Sequence, residues 1–119
     1  MTSIKIEDDN IVIEMIGIDK VLSLKSRIDI PAKHILSASQ NIEESKKWLG
    51  IKGMKKILGS NIPGIISDGT FYDHGRFFLD VHNPENTISI ILKDEKYKEI
   101  IVEVENPQET LELINKKIQ

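Results

Sequence analysis

The chain has 119 residues, a formal net charge of −3 and no cysteine. This length is typical of one domain, which is expected to span residues 1–119. The absence of cysteine excludes disulfides, thiolate catalysis and cysteine-ligated zinc, and the acidic balance disfavours nucleic-acid binding. No apolar run has the pattern of a signal peptide or the length of a membrane span, so we expect a cytoplasmic protein.

Alternation of apolar and polar residues predicts strands in the first third of the chain. These strands are predicted at residues 4–7, 11–16, 21–27 and 33–39. Pro31 interrupts the pattern, so residues 28–30 are predicted to be a strand end or a connection.

A different pattern begins at Asn41, which stands three positions before Glu44. This spacing is the capping-box arrangement that opens a helix, and Gly50 suits the position after its last turn. A short helix is therefore predicted at residues 42–49. The following residues, 51–64, contain several glycines and a proline, so a long loop is predicted there.

The second half has the clearest strand patterns. Residues 65–72 and 76–82 are predicted to form a hairpin closed by Asp73-His74-Gly75. Further alternation predicts strands at residues 87–93 and 99–105, the latter with Glu103 and Glu105 on its solvent face.

The chain ends in a strong helix signal. Asn106 is a good N-cap, Pro107 suits the first helical position, and Leu111, Ile114 and Ile118 fall on one helical face. About seven short strands followed by one helix predict a mainly β (α+β) fold. We expect an open barrel of antiparallel strands that is capped by the C-terminal helix.

Several segments of the C-terminal half carry a family resemblance. They are Ile62-Pro63-Gly64-Ile65-Ile66-Ser67-Asp68-Gly69-Thr70-Phe71, then Gly75, Phe77-Phe78-Leu79-Asp80-Val81, and Glu103-Val104-Glu105-Asn106-Pro107. On these residues the chain resembles a group of small bacterial proteins of pleckstrin-homology-like (PH-like) type. The resemblance implies the open-barrel fold. It carries no activity and no site residues, because this fold hosts lipid binders, peptide binders and assembly modules.

Residues able to bind metal or to catalyse lie in one stretch: Asp73, His74, Asp80 and His82. The hairpin would separate the two Asp/His pairs, but Asp80 and His82 share a strand face because they are two residues apart. Two ligands fall short of the roughly four in a structural metal site, so no metal and no cofactor are predicted. A lone histidine in a predicted strand, His34, is expected to be packed or half-exposed.

No catalytic motif stands out, and no catalytic residue is predicted. The chain lacks the Gly-x-Ser-x-Gly elbow of hydrolases, and residues 59–64 lack the lysine and serine that complete a phosphate loop. A non-enzymatic domain is therefore expected. The alternative is a small metal-dependent or enzymatic domain that uses Asp80 and His82.

Basic residues are concentrated in segment 46–56, which has no acidic residue. Its candidate ligand-binding residues are Lys46, Lys47, Trp48, Lys52, Lys55 and Lys56. Lysines mixed with a tryptophan and aliphatic residues suit an anionic membrane surface. A structural interpretation is favoured, in which a buried Trp48 packs the short helix against the sheet while the lysines stay solvated.

These observations together predict a non-catalytic binding or assembly module. The favoured partner is another protein or a second copy of the chain, bound along an exposed strand edge, because open sheets present unpaired backbone groups. Membrane contact through segment 46–56 is the less favoured alternative. Neither a nucleic acid nor a particular small molecule is expected as a ligand.

Overall fold

Two open sheets form the framework of the protein. The computed structural model describes residues 1–50, 55–62 and 66–119. Within them lie nine strands: β1(Thr2–Glu7), β2(Asn10–Met15), β3(Arg27–Pro31), β4(Ile35–Ser39), β5(Lys55–Ile62), β6(Ile66–Tyr72), β7(Arg76–Val81), β8(Thr87–Leu92) and β9(Glu99–Glu103). The α-helices are α1(Asp19–Ser23), α2(Ile42–Gly50) and α3(Pro107–Ile118), with short 3-10 turns at Ala32–His34 and Pro84–Asn86. None of the helices in these residues has the length and apolar character that a membrane crossing requires.

The strands divide into a small sheet and a large one. The small sheet has the order β1-β2-β3, and the large one has the order β4-β8-β9-β7-β6-β5. Neighbouring strands are antiparallel except for β7 and β9, which run parallel. The mainly β class and the C-terminal helix are confirmed. The described residues nevertheless contain nine strands in two open sheets, instead of about seven antiparallel strands in one barrel.

The strand predicted at residues 21–27 is wrong. Helix α1 occupies the start of this range, and Leu24 ends the helix in the left-handed region with φ 58°. The Ser23 hydroxyl lies within hydrogen-bond distance of the backbone oxygens of Asp19, at 2.6 Å, and of Lys25, at 3.0 Å, which favours a turn over an extended chain. Strand β3 follows and includes residues 28–30, with Pro31 as its last residue at the edge of the small sheet.

The loop predicted at residues 51–64 is wrong over residues 55–62, which form β5. Gly59 pairs with Gly69 across β5 and β6, and a Cβ atom at position 59 would overlap the backbone oxygen of Asp68. The glycine therefore permits close approach of two strands, where the sequence suggested a loop. Residues 51–54 and 63–64 of the predicted loop lie outside the described residues.

Predictions that rest on local capping and turn signals are confirmed. Helix α2 begins at Ile42, as predicted from the Asn41 cap, and the Asn41 side chain accepts the Glu44 N–H at 3.1 Å. Strands β6 and β7 form the predicted hairpin. At α3, the Asn106 side chain accepts the Glu109 N–H at 3.1 Å.

The large sheet separates two apolar clusters, because successive side chains of a strand point to opposite faces. One face carries Phe78, Ile100 and Val102, which pack with residues of the small sheet and of α3. The other face carries Leu79 and Ile101, which pack under Trp48 of α2. By this alternation Asp80 lies on the same face as Phe78, the face that the small sheet and the start of the chain cover.

Candidate metal centre

Asp68 and Asp80 face each other across β6 and β7. Both side chains are fully buried, at 0% exposed. Among the described residues, neither Asp68 Oδ1 nor Asp80 Oδ1 has a hydrogen-bond partner. Buried polar atoms without a partner are rare in folded proteins, because each costs desolvation free energy. A proton or cation between the two carboxyl groups would offset that cost.

His82 and Asp19 complete what we call the Asp/His cluster: Asp19, Asp68, Asp80 and His82. The imidazole Nε2 lies 2.7 Å from Asp68 Oδ2 and 3.7 Å from both Asp19 Oδ1 and Asp80 Oδ1. One ligating atom from each residue lies within 4.8 Å of the other three. His82 is 29% exposed and the aspartates are buried, so solvent reaches the cluster at the imidazole.

Groups at the start of the chain and on β9 hold the cluster in place. The Thr2 hydroxyl donates to Asp80 Oδ2 at 2.5 Å. The amino group of Met1 forms ion pairs with Asp19 and, at 3.5 Å, with Asp80. The Glu103 carboxylate accepts the backbone N–H of His82 at 3.2 Å. Glu103 is buried at 8% exposed, so the position predicted for it on the solvent face of the strand is wrong.

The electrostatics of the cluster favour a bound positive charge. Burial raises the pKa of Asp68 to about 7; the Asp80 carboxylate acts in the same direction, and the hydrogen bond with His82 opposes the shift. A carboxyl group with this pKa is protonated in about half of the molecules at neutral pH. A dication would replace the proton, because either one neutralises the facing carboxylates.

Three carboxylates and an imidazole form a mixed oxygen and nitrogen donor set. Metal–ligand distances of about 2.0–2.6 Å allow two ligands of one ion to lie up to about 5 Å apart. The ligating atoms of the cluster meet this limit, since they lie within 4.8 Å of one another. Carboxylates suit Mn²⁺ and harder ions, whereas imidazole suits Zn²⁺ and its neighbours, so Mn²⁺ and Zn²⁺ fit the set best.

The sequence found half of this cluster. Asp80 and His82 lie close together, as their shared strand face predicts, and they are two of the four residues of the cluster. Asp68 was missed, although its position and that of Asp80 are symmetric about His74, so the predicted hairpin register already placed them opposite each other. Asp19 gives no such local signal, because its approach depends on how α1 packs against the large sheet.

The remaining Asp/His candidates lie elsewhere. Asp73 and His74 pair with each other at 2.9 Å in the turn between β6 and β7, at the opposite end of β7 from His82. His34 is half-buried and pairs with Glu95 at 2.5 Å, as its predicted packed or half-exposed role requires. Neither histidine joins the Asp/His cluster.

Trp48 in the basic segment is buried at 4% exposed, as predicted. Its ring packs against Phe71 and Phe77, with centroid distances of 5.9 Å and 4.7 Å. Lys46 and Lys47 are exposed on α2, and Lys46 pairs with Glu43 at 3.7 Å. Lys52 lies outside the described residues, while Lys55 and Lys56 belong to β5. Ligand binding by these residues stays a prediction.

The Asp/His cluster is defined by geometry alone. It joins α1, neighbouring strands β6 and β7, and the residue after β7, so the fold brings together residues that are distant in sequence. Comparison with known proteins adds no relative: no family model matches the chain, and neither a curated protein nor a solved structure gives a significant match.

Proposed function

We propose that the domain is a non-catalytic binding module that holds one divalent cation, Mn²⁺ or Zn²⁺, in the Asp/His cluster. The observation that carries this proposal is the pair of buried, unpartnered carboxylate oxygens on Asp68 and Asp80. In surroundings of low dielectric constant, facing carboxylates repel each other strongly. One cation between them removes the repulsion and is coordinated by both oxygens.

Burial of the cluster supports a structural ion over a catalytic one. Structural sites surround the metal with protein ligands, whereas catalytic sites keep one position open to substrate. Asp19, Asp68 and Asp80 are at most 2% exposed, which leaves solvent access at His82. The Met1 amino group supplies one positive charge, whereas the cluster contains three carboxyl groups.

The test is cation binding by protein that has been freed of metal. We expect one equivalent of Mn²⁺ or Zn²⁺ to bind in isothermal titration calorimetry, and Mg²⁺ and Ca²⁺ to bind more weakly because imidazole suits them poorly. A ligand at 100 times its Kd stabilises the folded state by about 2.7 kcal/mol. Urea denaturation with and without the cation measures this gain.

Asp68→Asn provides the site variant, because asparagine keeps the shape of the side chain but removes the charge that binds the ion. Since the pKa of Asp68 is raised to about 7, a neutral side chain at this position should preserve the fold. Asp73→Asn is the matched control, as it alters an exposed Asp/His pair outside the cluster. Failure of the wild type to bind either cation, or equal binding by Asp68→Asn, would contradict the proposal.

We propose self-association along a sheet edge as a second function. It is supported by the two ends of the large sheet, where β4 and β5 each have one hydrogen-bonded neighbour among the strands that the structure describes. Light scattering after size-exclusion chromatography should show a mass that increases with concentration, and a constant monomer from micromolar to millimolar protein would contradict it. The PH-like relationship and the cytoplasmic location stay predictions.

A further inference from the structure

Helix α1 and its flanks have an inverted pattern of burial. The buried residues of the helix are polar, Asp19 and Ser23. The apolar side chains point outward: Ile16, Ile18, Val21 and Leu24 are 51%, 65%, 64% and 58% exposed. A surface helix ordinarily buries its apolar stripe and exposes its polar one. Residues 16–25, here called the α1 segment, therefore present four aliphatic side chains to solvent.

Polar contacts hold the α1 segment in this orientation. The Asp19 carboxylate belongs to the Asp/His cluster and pairs with the Met1 amino group, while the Ser23 hydroxyl lies within hydrogen-bond distance of two backbone oxygens. The helix rests on β5, β6 and β7. Turning the aliphatic side chains inward would pull Asp19 out of the cluster, so they stay exposed in the folded protein.

The exposed part of the α1 segment is also positively charged. Lys20 is exposed and Lys25, whose ammonium lies 5.9 Å from the centre of the Tyr97 ring, is half-buried, while the one acidic residue of the segment, Asp19, is 2% exposed. The chain as a whole has a net charge of −3, so the charge of this segment is opposite in sign to that of the whole chain. Aliphatic side chains combined with lysines complement an anionic lipid surface, where the former insert and the latter meet the headgroups.

The composition of the segment fits lipid better than protein. Residues 16–25 contain no aromatic residue, arginine or methionine, the types that anchor protein interfaces. A standard interface also uses about 20–30 residues on each side, far more than this segment offers. We infer that the α1 segment is a membrane-docking element that inserts its aliphatic side chains into an anionic bilayer surface. This inference does not depend on cation binding.

Vesicle flotation tests the inference with the intact protein. Wild-type protein should bind phosphatidylcholine vesicles that contain phosphatidylserine, bind pure phosphatidylcholine more weakly, and dissociate as salt is raised. The double variant Ile18→Ser/Val21→Ser should lower the fraction bound at least about tenfold, because it removes inserted apolar surface. Leu36→Ser is the matched control: Leu36 is 56% exposed on β4 and should leave binding unchanged.

The opposing outcomes are distinct. Absence of wild-type binding, equal binding to both vesicle types, or full binding by the double variant would overturn the inference. If the wild type forms a dimer and the double variant is a monomer, the α1 segment binds a second copy of the chain instead. If Lys46→Gln/Lys47→Gln abolishes vesicle binding and the double variant does not, segment 46–56 binds the membrane instead of the α1 segment. Lys20→Gln keeps every aliphatic residue and should weaken binding to anionic vesicles, so the test survives if the double variant does not fold.

Discussion

Replacing Ile114 with alanine is expected to lower the free energy of unfolding by about 2–5 kcal/mol. Ile114 is 0% exposed and packs from α3 into the main core, which includes residues of both sheets. Truncation removes buried methyl and methylene groups and leaves a cavity that the surrounding strands cannot fill completely. Urea denaturation at equilibrium measures the loss.

Leu113→Ala is the matched control on the same helix. Leu113 is 41% exposed, so its truncation should change stability by about 0.5 kcal/mol or less. Leu111 lies on the same helical face as Ile114, so the sequence predicts an equal loss of stability for Leu111→Ala. Because Leu111 is only partly buried against the core, we expect Leu111→Ala to lower stability more than Leu113→Ala and less than Ile114→Ala. Similar losses at positions 113 and 114 would show that α3 does not pack as described.

Local signals in the sequence predicted those elements whose stabilising contacts are themselves local. The caps of α2 and α3 depend on an asparagine and a backbone N–H three residues later, and both hydrogen bonds are present. The β6–β7 hairpin depends on one turn. In each case the residues that determine the structure lie within a few positions of one another, so the pattern is visible in the sequence.

Elements that depend on distant contacts were missed. Nothing local distinguishes Gly59 in a loop from Gly59 in a strand that approaches the Asp68 backbone. The parallel pairing of β7 with β9 likewise depends on β8 lying on the opposite side of β9 from β7. Asp19 joins the Asp/His cluster because α1 packs against the large sheet. The apolar residues of this region alternate with polar ones, so the sequence predicted a strand there instead of a helix.

The buried carboxyl group of Glu99, which lies outside the Asp/His cluster, is expected to make stability depend on pH. Glu99 begins β9, is 7% exposed and accepts the Ser89 hydroxyl at 2.7 Å. Burial raises the pKa of Glu99 to about 8, the neighbouring Glu44 carboxyl group acts in the same direction, and the bond from Ser89 opposes it. The protonated form is thus the one that the folded state prefers.

The direction of the pH effect follows from this shift. In the unfolded chain the pKa of Glu99 is near its ordinary value of 4.5, and in the folded protein it is near 8. Between these values the folded state binds more protons, so the stabilising contribution is complete below about pH 4.5 and is lost as pH rises through about 8. Each pKa unit corresponds to about 1.4 kcal/mol, and solvent screening reduces the total to an expected loss of about 1–3 kcal/mol.

Glu99→Gln should remove this loss, because glutamine stays neutral over the whole range. We expect the stability of the variant, measured by urea denaturation in metal-free buffer from pH 5 to 9, to fall about 1–3 kcal/mol less than that of the wild type. Asp68 titrates in both proteins, so their difference isolates Glu99. Glu105→Gln, which neutralises an exposed carboxylate two residues after β9, is the control and should follow the wild-type curve. Parallel curves for Glu99→Gln and the wild type would mean that Glu99 is already ionised in the folded protein at pH 5.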